Sequence, residues 1–427
     1  MSANHSKKGG LATIFLTVLI DLLGFGIVIP LLPIYSQAYG ASGVELGLLF
    51  ASFSAMQFLF APLWGRLSDR IGRKPVILCG LVGTSLSYVA FGLAESMTAL
   101  FVARLAAGFF GANVSTAQAY IADVTEEKDR AKGMGMIGAA FGLGFTLGPL
   151  VGGELAQVSM GMPGFFAAGL SAVAAIYGFV RLVEPERHRG DSSRRFGLQA
   201  IRRAFADGRT STLLLLYFLA IFAFAGFESM FIRFGLARFP AIFGVPEAIG
   251  DATMEQILAA APIAGRTMFF IGLMSALIQG GLIRRLVPRF GEVNLIVVGP
   301  LLLGLSFFIL GLAPTWTVVI LGCVLLPIGF GLNNPSLQGL LSRSVSSDAQ
   351  GSVLGINQSL ASLARVLGPA VAGAAFVGLG PSSPLLLSGA ILMVATLVAV
   401  LYRRRYGAGP EADPLPETPF SSNPKGP

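Results

Sequence analysis

Apolar positions in this chain come in runs long enough to cross a lipid bilayer, separated by short polar connectors. A helix rising roughly 1.5 Å per residue needs about 20 apolar residues to cross a hydrocarbon core of about 30 Å. Runs of that kind fall at residues 11–35, 43–64, 75–94, 97–122, 133–155 and 163–184. After a polar stretch they return at 211–236, 265–287, 293–312, 315–341, 351–379 and 383–402. The pattern predicts an all-α membrane protein of twelve transmembrane helices in two six-helix bundles, 11–184 and 211–402. Residues 1–10 are expected to be a cytoplasmic N-terminus, 185–210 a cytoplasmic basic linker, and 403–427 a cytoplasmic tail whose Pro, Gly, Glu and Ser content reads as disordered. The run Leu11 to Leu23 has the look of a secretory core, but no small-residue cleavage site follows, so it is kept as a first span.

Composition sharpens the class. Hydrophobic residues make up 54% of the 427 and charged residues only 12%, against about 25% charged in a soluble domain. The net charge of +8 raises a nucleic-acid reading, which the placement of the cations removes. All thirty Lys and Arg except Arg104, Arg233, Arg238, Arg266 and Arg365 fall on one side of the predicted spans. The positive-inside rule makes that side the cytoplasm of a cell (inner) membrane, with both termini there. Within 185–210, Phe196, Leu198, Ile201 and Phe205 interleave with seven Arg, which fits either an amphipathic helix on anionic lipid or a solvated linker. Cys79 and Cys323 stand alone in apolar runs, and His5 and His188 lie in polar segments. No Cys/His constellation or P-loop is present, which argues against an enzyme, a metal site, a cofactor or ATP drive.

Charge is concentrated in one connector, "RLSDRIGRKP" at 66–75. At an offset near 220 the halves repeat: "GPLVGG" at 148–153 meets "GPAVAG" at 368–373, and "RIG" at 70–72 meets "RFG" at 289–291 with a one-residue adjustment. The stretch "GRLSDRIGRKPVIL" (65–78) resembles the cytoplasmic signature of the major facilitator superfamily at every defined position. "LFVARLAAGFFGA" (100–112) is similar to its fourth-span signature, and "GFTLGPLVGG" (144–153) to its fifth-span antiporter signature. "DLLGFGIVIPLLPIY" (21–35) and "FESMF" (227–231) look most like the tetracycline-resistance and multidrug efflux branch. The resemblance runs from about residue 11 to 402 and implies two parallel six-span repeats around a central cavity.

The resemblance implies a proton-coupled exporter of small amphiphilic compounds, drugs among them, working by alternating access as a monomer in membrane lipid, with protons as coupling ion and no cofactor beyond the proton gradient. A symporter or metabolite exporter on the same fold is the alternative, and a receptor or membrane enzyme the alternative of another class. Asp21 lies near the midplane, where a charged side chain costs roughly 2.5 to 3.5 kcal/mol to insert, so it is the leading proton carrier. Arg104, at similar depth, is its expected counter-charge, and Glu228 is a second proton or cation site with Arg233 as its expected partner. A static ion pair and an interfacial acid are the plainer readings of these two groups.

The cytoplasmic gate is expected to comprise Gly65, Asp69, Arg70, Gly72, Arg73 and Asp123, with the glycines allowing a tight turn and close helix approach. The resemblance places Asp69 against Arg70 or Arg73 and the start of the eleventh span near Gly351 and Ser352, with Asp123 competing for the same cations. The antiporter motif comprises Gly144, Gly148, Pro149, Gly152 and Gly153, read either as an outer seal or as plain helix packing. Candidate cavity groups are Asn113, Gln118, Asn333, Asn334, Asn357 and Gln358, with Phe227 among the aromatic walls. Arg365 either binds an anionic substrate or counters a cavity acid. Spans three and nine carry no interior acid, which argues against metal-chelated tetracycline as substrate.

Overall fold

A backbone in hydrocarbon must satisfy its own hydrogen bonds, and a helix does so within one segment. The computed structural model describes residues 2–112, 114–125, 127–185, 202, 204–247, 251–278, 281, 283–345 and 347–406, and these contain helices and no strand. Among the described residues twelve helices are long and apolar enough to cross a membrane. In chain order, spans 1 to 6 are Ala12–Ala38, Gly43–Ile71, Arg73–Gly92, Met97–Val124, Gly138–Ala156 and Met162–Arg181. Spans 7 to 12 are Gly208–Arg238, Met254–Leu277, Glu292–Leu312, Trp316–Arg343, Ser352–Leu379 and Ser383–Tyr406. The protein is therefore a multi-pass membrane protein. Most of the expected linker, 186–201 and 203, and the tail 407–427 lie outside the described residues.

Local chemistry explains where these helices begin. Ser42 starts span 2 with a capping box, its hydroxyl accepting the Glu45 N–H while Glu45 accepts the Ser42 N–H. Ser96 caps span 4 by accepting the Ala99 N–H at 3.2 Å. Span 1 tightens to a 3-10 turn at Ile29–Leu31, where Pro30 has no N–H to give. Gly72 (φ +114) and Gly291 (φ +71) each open a span in a conformation that glycine tolerates best, so the "RIG"/"RFG" repeat is also a repeat of backbone geometry.

Span 8 differs from the sequence expectation of 265–287. The helix runs Met254–Leu277, and Ile283–Phe290 forms a separate short helix with Arg285 and Arg289 exposed. Thr253 and Gln256 make a second capping box, which fixes the start of the span ahead of the apolar stretch 257–264. The arginines at 284 and 285 end the apolar run at the other side.

The contacts divide the chain into two compact units. One gathers Met1–Gly190, Gly226–Ala276 and Arg365–Pro384, and the other Asp191–Ala225, Leu277–Ala364 and Leu385–Pro427. In the first, Ile14, Val18, Leu22, Ile77, Leu81, Tyr120 and Ala174 form a buried core. In the second, Leu213, Leu214, Ile296, Leu337, Leu341 and Ala399 do the same. Leu59, Leu86, Ile176 and Phe179 of the first and Leu321 and Leu397 of the second are exposed. Large apolar side chains turned outward in such number suit contact with lipid rather than water.

Candidate functional site

The charged connector between spans 2 and 3 is organised around Arg73. Its Nη1 meets Asp69 at 2.7 Å and the Ser68 hydroxyl at 2.6 Å, while Nε donates to Asp123 at 2.8 Å. Both expected acids thus meet one guanidinium, and Arg73 is a partner of Asp69 in this structure. Glu184, just past span 6, accepts the backbone N–H groups of Arg73 and Lys74 at 2.6 and 2.9 Å, closing the free N-terminal end of span 3. A methyl group at Gly72 would lie 2.7 Å from that carboxylate, so this glycine serves both turn and close approach. Gly65 does not serve the latter: a methyl group there would meet open space, because it stands on an unpacked face of span 2.

The glycines of span 5 have two audiences. A methyl group at Gly144 would lie 2.6 Å from the Leu22 carbonyl oxygen, and one at Gly148 2.6 Å from Gly26 Cα, so these residues seat span 5 on span 1. Gly152 faces the Ile27 carbonyl in the same seam. Gly153 points elsewhere, a methyl group there lying 2.6 Å from the Ala261 carbonyl oxygen of span 8, and Gly265 of span 8 presses on the Pro149 carbonyl. Glu154 and Arg266 bridge that second seam at 2.8 Å, both largely exposed. Spans 2 and 11 meet through Gly43 and Gly47 against Gly373 and Pro369. Glycine apposition is therefore used within the first half and between it and spans 8 and 11.

The intramembrane charges are arranged differently from the expectation. Asp21 accepts the Ser171 hydroxyl of span 6 at 2.8 Å and makes no ion pair with Arg104. Arg104 is 2% exposed. Its guanidinium carbon lies 4.4 Å from the Phe53 ring centroid and 6.0 Å from that of Phe25, and its Nε and Nη1 have no acceptor among the described residues. The reason is spatial: Phe25 and Phe53 stack at 5.0 Å and Phe25 meets Phe145 edge-on at 5.7 Å, an aromatic bed that holds the cation by its ring faces. Tyr88 of span 3 is buried in the fields of both Asp21 and Arg104.

Glu228 is half-buried, and the cations that act on it are Arg365 and Arg104 rather than the expected Arg233. Arg233 instead donates from Nη2 to the Ala41 carbonyl and lies 5.8 Å from the Phe376 ring centroid, so one turn of helix carries it away from Glu228. Phe227 is buried against Phe231 at 4.9 Å, a packed core position rather than an open wall.

In the second unit, Asn333 is buried beside Gly299, Asn334 accepts from Gln338 at 3.3 Å, and Asn357 is buried with its Oδ1 unpartnered. Gln358 and, in the first unit, Gln118 are exposed, and Asn113 lies outside the described residues. Sequence reasoning missed Glu184, Ser171 and Tyr88. Only Glu184 carried a signal, as an acid immediately after an apolar run on the basic side of the membrane.

Glycine-tight helix seams, buried charges within apolar spans and an ion-paired connector fit a helical membrane transporter. The Major Facilitator Superfamily description matches residues 14–369 and again 254–425, and the chain belongs to that superfamily. It is 32% identical over 374 residues to Multidrug resistance protein 1 of Bacillus subtilis (strain 168), covering 87% of this chain and 90% of that protein. It is likewise 32% identical over 380 residues to the class C Tetracycline resistance protein of Escherichia coli, covering 87% and 90%. Among solved structures it resembles the human organic anion transporter MFSD10 (TETRAN), with a TM-score of 0.67 and 29% identity over 92% of this chain and 99% of that one.

Proposed function

We propose that this transporter is a proton-driven exporter that moves small amphiphilic compounds out of the cytoplasm by alternating access. The observation that carries the reading is the double use of span 5: one row of glycines is fixed inside the first half, while Gly153 and Pro149 meet span 8 of the second half. A seam made of backbone against backbone, with one exposed ion pair beside it, closes tightly yet holds few directional bonds to break. Asp21 is the proton carrier, a carboxyl group in an apolar span whose one hydrogen bond among the described residues comes from a neutral hydroxyl. A neutral partner favours neither occupancy as strongly as a fixed arginine would, so a proton can come and go. Kinship to proteins named for multidrug and tetracycline resistance supports export.

In this reading the protein sits in the cell membrane with both termini cytoplasmic, acts as a monomer, and uses the proton gradient in place of a cofactor. Everted membrane vesicles test it. Addition of a transported dye should dissipate a preformed proton gradient, and an uncoupler should stop dye accumulation in the vesicles. Dye movement that leaves the gradient untouched would overturn proton exchange, and proton-driven dye exit would indicate a symporter.

A further inference from the structure

Alternating access needs a contact that holds the outer side shut and can still be undone, and the connector between spans 1 and 2 carries one. The connector itself is rigid. Gly40 (φ +68) turns it, the Ala41 N–H donates to the Ser36 carbonyl at 2.8 Å, and Ser42 opens span 2 with its capping box. Tyr35 donates to the Met160 carbonyl at 2.6 Å and Tyr39 to the Ala94 carbonyl at 2.5 Å, which ties the connector to the outer ends of spans 6 and 3. The Glu45 N–H, one turn beyond Ala41, is taken by the Ser42 hydroxyl. The Ala41 carbonyl is left to Arg233 of span 7, which donates to it from Nη2. Arg233 is 9% exposed, and its guanidinium carbon lies 5.8 Å from the ring centroid of Phe376 in span 11. Phe376 in turn closes on the first residue of span 2: a methyl group at Gly43 would lie 3.2 Å from Phe376 Cδ1 and 3.1 Å from the Gly373 carbonyl oxygen. One side chain therefore fastens the span 1–2 connector to spans 7 and 11.

We propose that Arg233 is the outer latch of the transporter: bonded to Ala41 and lying on Phe376 it holds the outer face shut, and it lets go when spans 7 and 11 leave the connector. A static anchor would be fully paired, and this one is not. Arg233 makes no ion pair with the described residues, and its Nη1 has no acceptor among them. The charge-assisted bond from Nη2 and the ring face favour the closed arrangement. The unpaired Nη1 opposes it, because a buried charged donor without an acceptor is penalised. Water entering the seam would satisfy Nη1 and remove that penalty, so the closed state is held by a margin that each cycle can cross. The inference rests on the alternating access of the export reading and names the residue that sets the balance between its two states.

The test is the rate at which a membrane-impermeant maleimide labels single cysteines in the purified full chain in lipid nanodiscs, in a background lacking Cys79 and Cys323. Ala41→Cys reports on the outer side, where Ala41 is buried, and Gln118→Cys on the cytoplasmic half of span 4, where Gln118 is exposed. Arg233→Met keeps the apolar stem, removes every donor and leaves the Ala41 carbonyl without one. It should raise labelling of Ala41→Cys at least about fivefold and lower that of Gln118→Cys, since opening one side closes the other. Arg233→Lys, which keeps a donor for the carbonyl, should stay within about twofold of the parent. Phe376→Leu removes the ring face and leaves the bond, so it should move both rates the same way by a smaller factor. Unchanged or slower labelling of Ala41→Cys in a folded Arg233→Met protein would overturn the latch. So would faster labelling there with no fall at Gln118→Cys, which is local loosening. If Arg233→Met does not fold, Phe376→Leu decides, and no shift in either rate overturns the proposal. No gradient or substrate is involved, so a failed latch leaves proton exchange in everted vesicles standing, and dye movement without proton exchange leaves the latch standing.

Discussion

Gly153→Ala separates a seal from mere packing. The added methyl group would lie 2.6 Å from the Ala261 carbonyl oxygen, 3.1 Å from Pro262 Cα and 3.2 Å from the Ala261 carbonyl carbon. All three are backbone atoms and none can swing aside, so reaching ordinary contact near 3.4 Å requires spans 5 and 8 to part by about 0.8 Å. Overpacking of this kind costs about 1–3 kcal/mol. The neighbouring Glu154–Arg266 pair, exposed by 43% and 64%, does not offset that, since such pairs contribute about 0–1 kcal/mol. If the span 5 and span 8 seam opens during transport, the whole cost falls on the closed state and shifts the equilibrium toward the open one by about 5- to 140-fold. Thr146 lies in the same seam, buried beside Gly272. The assay is the rate at which Thr146→Cys reacts with a membrane-impermeant thiol reagent, in a background lacking Cys79 and Cys323. Gly153→Ala should raise that rate. Gly148→Ala, whose methyl group would lie 2.6 Å from Gly26 Cα inside the first half, should lower stability without raising it. Unchanged labelling in well-expressed Gly153→Ala, or equal acceleration in both variants, would refute the seal and leave a packing stripe.

Asp69→Asn should slow turnover more than it weakens substrate binding, because Asp69 is 55% exposed and its bond to Arg73 adds only about 0–1 kcal/mol to any one state; parallel measurement of transport rate and binding affinity checks this, and equal losses in both would contradict it. Arg73→Gln should slow transport more than Asp69→Asn in the same assay, since it removes the cation that both Asp69 and Asp123 contact. Glu184→Gln should lower the melting temperature in detergent, by the loss of about 1 kcal/mol of helix-end stabilisation at span 3. A melting temperature equal to that of the parent would show that the cap contributes nothing.

The architecture was legible from sequence because each span announces itself through a run of apolar residues whose length the bilayer dictates. The connector at 66–75 was equally legible, since charges clustered in so apolar a chain need partners, and Arg73 supplies them to Asp69 and Asp123. Side-chain pairing inside the membrane was not. Similar depth suggested Asp21 and Arg104 as a pair, but depth ignores azimuth: Asp21 turns to Ser171 of span 6 and Arg104 to the rings of Phe25 and Phe53. Proximity along the helix suggested Arg233 for Glu228, whereas Arg233 reaches the Ala41 carbonyl, 192 residues away in sequence. Glu184 was overlooked for the same reason, since its partners lie 110 and 111 residues earlier. The span 8 boundary slipped because Glu255, Gln256 and Arg266 interrupt the apolar run, whereas the capping box at Thr253 sets where the helix begins.

The claim on which the mechanism stands is that one carboxyl group, Asp21, carries the exchanged proton. Proton movement driven by substrate, recorded with a pH-sensitive dye trapped inside proteoliposomes of the wild-type protein and of Asp21→Asn, tests it directly. The amide keeps an oxygen for the Ser171 hydroxyl and removes only the ability to ionise, so the variant should insert and fold normally. The predicted result is a pH change in wild-type vesicles on addition of substrate and none in the variant. A full pH change from Asp21→Asn would contradict the account.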